Sequence, residues 1–194
     1  MRLAAPGVPA SRRGLALSTD GNSRWCAVDP RRGTAMLVAE STLNVACAGA
    51  RPVALVNCLN FGNPEHPEVM WQLSEAIDGM TDACRALGLP VIGGNVSLYN
   101  ESRGRDIDPT PVVGTLGIVD RLERRPPGVT LVENGRLLLL GAPSGDLGGS
   151  RWAAGAGASG DRLPPLDLGG HAILLAPSVS PSPRWRCAPA SGSA

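Results

Sequence analysis

The fold of this chain is decided by residues 52–100, which read PVALVNCLNFGNPEHPEVMWQLSEAIDGMTDACRALGLPVIGGNVSLYN. An apolar run opens the stretch and ends in a polar, turn-forming segment at 57–64. Apolar residues then recur at helical spacing over 68–87, and the glycine that follows is a typical helix-ending residue. A second short apolar run leads into the glycine-rich segment 93–97. The order strand, polar loop, helix, strand and glycine-rich loop predicts an α/β fold.

The two polar segments follow the predicted strands, where α/β proteins tend to bind charged ligands. In the segment 93–97, paired glycines including Gly94 let the backbone approach a ligand closely and expose N–H groups to phosphate oxygens. Asn95 offers a neutral oxygen to a hard cation such as Mg²⁺, and Ser97 points to the same side of an extended chain. Taken alone, this segment fits a tight turn with a capping serine equally well.

The other polar segment begins with Asn57, which ends the first predicted strand and whose amide can contact a base or a ribose. Local pattern favours the alternative, a series of Asx turns that leads into the helix. His66 has no Cys or His at metal-ligand spacing and is interpreted as a solvated loop residue. Asp106 and Asp108 stand in a charged loop and are likewise interpreted as solvated surface.

The regions on either side complete the predicted fold. Residues 14–29 are predicted to form a hairpin with its second strand at 24–28, because a turn signal separates two short apolar runs. A helix is predicted over 34–49 and a further strand over 111–119. The prediction is an α/β (α+β) fold, a ferredoxin-like or related mixed sheet of about four strands covered by two helices. One sheet face is expected to be apolar and incompletely covered.

Composition divides the chain along its length. Residues 1–13 are predicted to be a disordered leader and 14–125 a first domain. Residues 126–170 are predicted to begin a second α/β domain with a buried strand at 135–141, although one strand and one loop cannot bury a core. Residues 171–194, rich in Pro, Ser and Ala, have the composition of a disordered tail.

Composition also excludes several classes of function. The formal net charge is +1, which gives no electrostatic basis for binding nucleic acid or an acidic membrane. All 18 basic residues are arginine, which excludes a Walker phosphate loop and a Schiff-base lysine. The 5 cysteines are dispersed without a C-x-x-C pair, which favours buried thiols and a cytoplasmic location. The G-x-G-x-x-G at 155–160 follows no predicted strand and is interpreted as a linker.

A family resemblance is carried by three motifs in order, NCLNFGNPE at 57–65, GGNVSLYNE at 93–101 and PTPVVGTLG at 109–117. Their combination resembles the phosphoribosylformylglycinamidine synthase family, in the superfamily of aminoimidazole ribonucleotide synthetase. The resemblance covers roughly residues 14–170. It implies the N-terminal domain of the second half of that enzyme, with the truncated start of the following domain.

The resemblance implies an ATP-dependent ligase of purine biosynthesis, which converts formylglycinamide ribonucleotide to the amidine. The implied cofactors are ATP or ADP and Mg²⁺. By the same resemblance Gly94 and Asn57 would contact the nucleotide, Asn95 would hold Mg²⁺, and Ser97 would lie toward the substrate. The implied partners are a glutaminase subunit, the small purine-synthase subunit, and either a first-half domain or a second copy of the chain.

Departures from the family pattern leave several roles open. The family's catalytic histidines lie in its first half, and nothing in this chain matches those motifs. The chain can be a nucleotide-bearing part of the ligase, a non-catalytic nucleotide-binding scaffold, or a truncated inactive fragment. A selenophosphate synthetase or a thiamine-phosphate kinase is a further alternative, against which the segments NCLNFGNPE and SLYNE argue.

Overall fold

The computed structural model describes residues 11–124, 133, 139–141, 145–157 and 162–179. In chain order its elements are β1 (Gly14–Gly21), α1 (Ser23–Val28), α2 (Pro30–Cys47), β2 (Arg51–Asn60), α3 (Pro67–Leu87), β3 (Val91–Ser97), β4 (Glu101–Ser102), β5 (Arg105–Asp106), β6 (Thr110–Val119), a 3₁₀ turn (Leu122–Arg124), α4 (Arg151–Gly155) and α5 (Leu168–Val179). Within these residues no helix has both the length and the apolar character needed to span a membrane.

The four longer strands form one mixed sheet in the order β1-β6-β2-β3. β6 runs antiparallel to both neighbours, whereas β2 and β3 run parallel and are joined through α3. β4 and β5 pair separately as a small hairpin. The predicted α/β fold, a mixed sheet of four strands with two covering helices, is confirmed. The main elements follow the order βαβαββ, which differs from the βαββαβ order of a ferredoxin-like fold.

The hydrophobic core lies between one face of the sheet and the helices α2 and α3. Leu37 and Val38 of α2 belong to one cluster with Leu55 of β2 and Val113 of β6, and all are fully buried. Phe61, the only phenylalanine of the chain, is fully buried in the same cluster. Burying a large apolar side chain contributes about 1.5–3 kcal/mol, so this layer holds the sheet and helices together.

The opposite face of the sheet is open. Along β6 buried residues alternate with partly exposed ones, as expected for a strand with only one covered face. On the open face Leu17 of β1 pairs with Leu116 of β6 and is 71% exposed. Val56 of β2 is 43% exposed. The chain therefore carries an apolar sheet face that its own described helices do not cover.

The predicted hairpin over 14–29 is wrong. β1 pairs with β6 over its whole length, and Ser23–Val28 forms the short helix α1. The Asn22 side chain caps α1 by accepting a hydrogen bond from the Trp25 N–H at 3.2 Å. The Asp29 side chain caps α2 in the same way at 2.8 Å, directly before a proline at the first helical position. Two capping residues thus turn a short apolar run into a helical turn.

Both long helices lie close to their predicted positions. α3 covers Pro67–Leu87, against a predicted 68–87. Its C-cap residue Gly88 has a φ of 63°, the left-handed conformation that glycine adopts readily. α2 covers Pro30–Cys47, against a predicted 34–49, because its start is set by the Asp29 cap rather than by the apolar pattern.

Where it is described, the chain after β6 packs back on the preceding helices. The Trp25 Nε1 donates to the Gly149 carbonyl at 3.1 Å, and Leu163 is buried. α5 packs against α2 and α3, and its His171 Nε2 lies 3.1 Å from the Thr42 hydroxyl. The predicted disordered tail is therefore corrected at its start, because the apolar run from residue 171 forms a helix that reaches Val179.

Some predictions fall partly outside the described residues. They are the leader over residues 1–10, most of the strand at 135–141, and the tail beyond residue 179. Residues 139–141 are described and form neither helix nor strand. The domain boundary near residue 126 stays a prediction.

Candidate functional site

Strands β2 and β3 bring the two predicted polar segments side by side. In their parallel register Asn57 pairs with Gly94 and Asn60 pairs with Ser97. The strands run further into these segments than predicted, since β2 continues to Asn60 and β3 to Ser97, whereas residues 61–64 lie outside any strand, as predicted. β2 is paired with β3 on one side and with β6 on the other, so its backbone groups have partners as far as its last residue.

Asn57 and Gly94 lie on the face that the helices cover. The Asn57 Nδ2 lies 3.4 Å from the Met80 Sδ of α3. A Cβ at position 94 would overlap the Asn57 side-chain oxygen and lie 2.8 Å from its Cγ. Packing within the protein therefore requires glycine at position 94 as long as the asparagine keeps this position.

Asn95 and Ser97 lie on the open face, because side chains alternate along a strand. Asn95 is exposed, and its Nδ2 lies 3.8 Å from the Cys58 Sγ of β2. The Ser97 hydroxyl lies 3.2 Å from the Asn100 Oδ1. The Asn100 Nδ2 donates to the Phe61 carbonyl at 3.0 Å, so this asparagine ties the ends of the two strands together.

The predicted site residues thus share one strand pair but occupy two of its faces. β3 is an edge strand of the sheet, so a ligand along its outer edge is within reach of both faces. The exposed Asn95 side chain carries one neutral oxygen. Proteins usually hold Mg²⁺ with carboxylates together with phosphates and waters. The described residues contain no group of ≥ 3 His, Cys, Asp or Glu that could hold a metal ion.

A polar pair that the sequence does not predict lies in the connections that follow β2 and β3. Asp106 accepts hydrogen bonds from the Asn63 N–H through Oδ1 and from the His66 Nδ1 through Oδ2, both at 2.7 Å. Two hydrogen bonds hold the pKa of the Asp106 carboxyl below its usual range. The larger effect comes from the Asn63 backbone N–H and the smaller from the His66 imidazole. Both side chains keep contact with solvent. They are 40 positions apart, so no local spacing signals that they bind each other.

Two other titratable groups lie in the helix layer. Burial raises the pKa of the Cys26 thiol to about 11, against the opposing effect of a hydrogen bond with Thr34. Burial lowers the pKa of the His171 imidazole, against the opposing effect of a hydrogen bond with the Ala39 backbone. Both groups are held by packing rather than by contact with the predicted site residues.

Comparison with known proteins decides the family. Residues 4–119 match the family described as AIR synthase related protein, N-terminal domain. The chain belongs to this family. The resemblance to the aminoimidazole ribonucleotide synthetase superfamily is thereby confirmed.

Relatives of this AIR synthase related chain are larger proteins. It is 51% identical over 156 residues to the phosphoribosylformylglycinamidine synthase subunit PurL of Renibacterium salmoninarum. The match covers 80% of this chain and 20% of that protein. It is 51% identical over 162 residues to the same subunit of Thermomicrobium roseum. This match covers 83% of this chain and 22% of that protein. The chain therefore spans about a fifth of the length of the curated relatives it matches.

Several solved structures similar to the AIR synthase related chain come from Thermotoga maritima. PurL complexed with ATP matches with a TM-score of 0.55 and 36% identity, over 59% of this chain and 19% of that chain. The structure of PurLQS matches with a TM-score of 0.56 and 33% identity, over 64% of this chain and 20% of that chain. Other PurL structures of this organism are complexed with ADP and with FGAR.

Proposed function

We propose that this chain contributes a Mg-nucleotide site to an ATP-dependent ligase that converts formylglycinamide ribonucleotide to formylglycinamidine ribonucleotide in purine biosynthesis. The observation that carries the proposal is the register of β2 and β3, which joins NCLNFGNPE and GGNVSLYNE into one strand pair. The similar PurL of Thermotoga maritima is complexed with ATP, with ADP and with FGAR in its solved structures. We also propose a cytoplasmic location for the chain.

The proposed roles follow from the edge position of β3. Asn57 and Gly94 contact the nucleotide, and the exposed backbone of β3 lets phosphate oxygens approach its N–H groups. Asn95 supplies one oxygen to a Mg²⁺ ion whose other ligands are phosphates, waters and groups outside the described residues. Ser97 lies toward the substrate. When bound, the ion neutralises phosphate charge, and this chain's part is to hold and orient the nucleotide.

Nucleotide binding is tested by titrating the full chain with Mg-ATP and Mg-ADP in a calorimeter. Asn95→Ala is expected to weaken the Mg²⁺ dependence of binding, and Asn95→Asp to retain it, because a carboxylate is a better ligand for this ion than an amide. Binding that is equally tight in the presence of a chelator would contradict the role of Asn95. No binding of either nucleotide would overturn the proposal.

Catalysis of the full reaction needs more than this chain. The described residues contain the His66–Asp106 pair but no group that the family resemblance assigns to catalysis. The full chain with ATP, ammonia and formylglycinamide ribonucleotide is therefore expected to form no amidine. Amidine formation with matching ADP release would show that the chain is a complete ligase.

A non-catalytic scaffold, or a truncated inactive fragment, is the second candidate function. The chain spans about a fifth of the length of its relatives. A scaffold binds Mg-nucleotide without hydrolysing it, even when the other subunits and a first-half domain are added. A fragment binds nothing, so titration and turnover together separate the candidates.

The open face of the sheet is the proposed contact for a partner domain. Leu17 and Val56 are apolar and exposed on it, and α2 and α3 pack on the opposite face. We propose that a first-half domain of the same fold, or a second copy of this chain, covers this face. A glutaminase subunit and the small purine-synthase subunit are proposed as further partners, because a similar structure is that of PurLQS.

A further inference from the structure

The Asp106 carboxylate accepts hydrogen bonds that play no part in the proposed nucleotide site. Its two carboxylate oxygens accept from the Asn63 N–H and from the His66 Nδ1, both at 2.7 Å. Because a carboxylate only accepts hydrogen bonds, the imidazole nitrogen that faces it carries a proton. The Nε2 is then the nitrogen through which His66 can bind another group.

The same carboxylate packs on the backbone of the connection between β2 and α3. A Cβ at position 62 would lie 2.6 Å from the Asp106 Cγ, so Gly62 allows this close approach. The connection is also tied to the end of β3. The Phe61 N–H donates to the Ser97 carbonyl at 3.0 Å, and the Tyr99 N–H donates to the Gly62 carbonyl at 2.8 Å. Asp106 therefore fixes the segment that adjoins Ser97, one of the predicted site residues.

The hairpin of β4 and β5, which carries Asp106, lies in the connection from β3 to β6. β5 ends at this residue, and the chain then enters β6, whose first residues pair with the end of β2. The Asn60 Nδ2 donates to the Thr110 carbonyl at 3.1 Å, which adds a side-chain contact between the same two strands. The carboxylate is thus attached to the sheet and is well placed to orient the more exposed His66.

We propose that Asp106 is a positioning residue for the strand-end site, and that it acts by holding His66 with its Nε2 toward the phosphate-bearing ligand. The inference rests on the proposed function, because it assigns a further contact at the same site. An imidazole tied at Nδ1 is held in one tautomer and one orientation, so less freedom is lost when Nε2 binds. The chain has no lysine, and Nε2 is the imidazole nitrogen left to donate an N–H to a phosphate oxygen, which it does in the form that carries a proton on both ring nitrogens.

The test compares Asp106→Asn with Asp108→Asn in the full chain, using the Kd for Mg-ATP. Both variants remove one carboxylate from the same connection. Asp108 is the matched control, because it is exposed and its hydrogen bond with Thr110 uses the backbone carbonyl. Asp106→Asn is expected to raise the Kd roughly tenfold, as for the loss of one charge-assisted hydrogen bond. Asp108→Asn is expected to leave the Kd unchanged.

A double-variant cycle separates positioning from a general structural effect. His66→Gln is expected to raise the Kd as much as Asp106→Asn does, and the two changes together are expected to add nothing further. Additive effects would overturn the inference, since they would mean that the two residues act independently. A Kd for Asp106→Asn equal to that of the parent chain would also overturn it and would leave the proposed function intact.

The tautomer of His66 gives a readout that does not depend on nucleotide. Nitrogen-15 spectra of the imidazole are expected to show the Nδ1–H form in the parent chain and a shift toward the Nε2–H form in Asp106→Asn. If the parent chain binds no Mg-ATP, the proposed function fails together with the assigned contact. An unchanged tautomer in Asp106→Asn would then overturn the positioning as well, whereas a shifted one would support it.

Discussion

The side-chain oxygen of Asn57 occupies the space that a Cβ of residue 94 would need. The two residues pair on neighbouring parallel strands, so this contact packs one predicted site segment directly against the other. Residue 94 therefore has an internal reason to be glycine, besides the proposed approach of a nucleotide. Substitution at this position and at its neighbours can separate the two reasons.

Gly94→Ala is expected to destabilise the chain by about 1–3 kcal/mol, because the added methyl group overpacks against Asn57. Gly93→Ala is the matched control on the same strand, since a Cβ there meets nothing within 4 Å. Chemical denaturation measures both free energies of unfolding. Adding Asn57→Ala to Gly94→Ala is expected to recover most of the loss, and a double variant as unstable as Gly94→Ala would contradict this explanation.

The docking of α5 is expected to weaken below about pH 6.5, the ordinary pKa of histidine, because burial lowers the pKa of His171. With the folded pKa below the unfolded one, the unfolded state binds more protons in this range. The contribution of His171 is therefore complete above the unfolded pKa and is lost as the pH falls through the folded pKa.

Hydrogen-exchange protection of α5 on either side of this pH measures the effect. His171→Gln removes the titrating group and is expected to abolish the pH dependence. Equal pH dependence in this variant would assign the effect to another group.

The open sheet face is expected to mediate association. Leu17→Glu places a charge on this face, where the parent leucine is 71% exposed, and is expected to weaken self-association roughly tenfold or more. Met70→Glu is the control, because Met70 is also apolar and 51% exposed but lies on α3. Sedimentation velocity measures the self-association of both variants and of the parent chain. A parent chain that stays monomeric would exclude a second copy as the partner and leave the first-half domain.

Thiol reactivity is expected to follow burial. With a pKa of about 11, about one Cys26 thiol in a thousand is ionised at about pH 8, and the residue is fully buried. Cys58 is only partly buried and is expected to react with iodoacetamide much faster in the native chain. Peptide mass spectrometry over time measures both rates, and unfolding in urea is expected to make them similar. Fast modification of native Cys26 would contradict its burial.

Parts of this fold could be predicted because the signal is local and repeated. α3 follows from apolar residues at helical spacing and a closing glycine, and β6 follows from a run of apolar residues at 111–119. The prediction failed at Ser23–Val28, where the caps Asn22 and Asp29 outweigh a short apolar run. A period cannot be read from so few residues, whereas a capping hydrogen bond stabilises the first turn of a helix whatever the apolar pattern.

By itself, the sequence determined the α/β class, the two long helices, the family and the segments that carry the candidate site. Tertiary structure alone decided how far the strands extend into these segments, that Asn57 and Asn95 lie on opposite faces, and that Asp106 holds His66. The reason is physical. Periodicity and capping depend on neighbours within one or two turns of chain, whereas register and side-chain pairing depend on residues that only the folded sheet brings together.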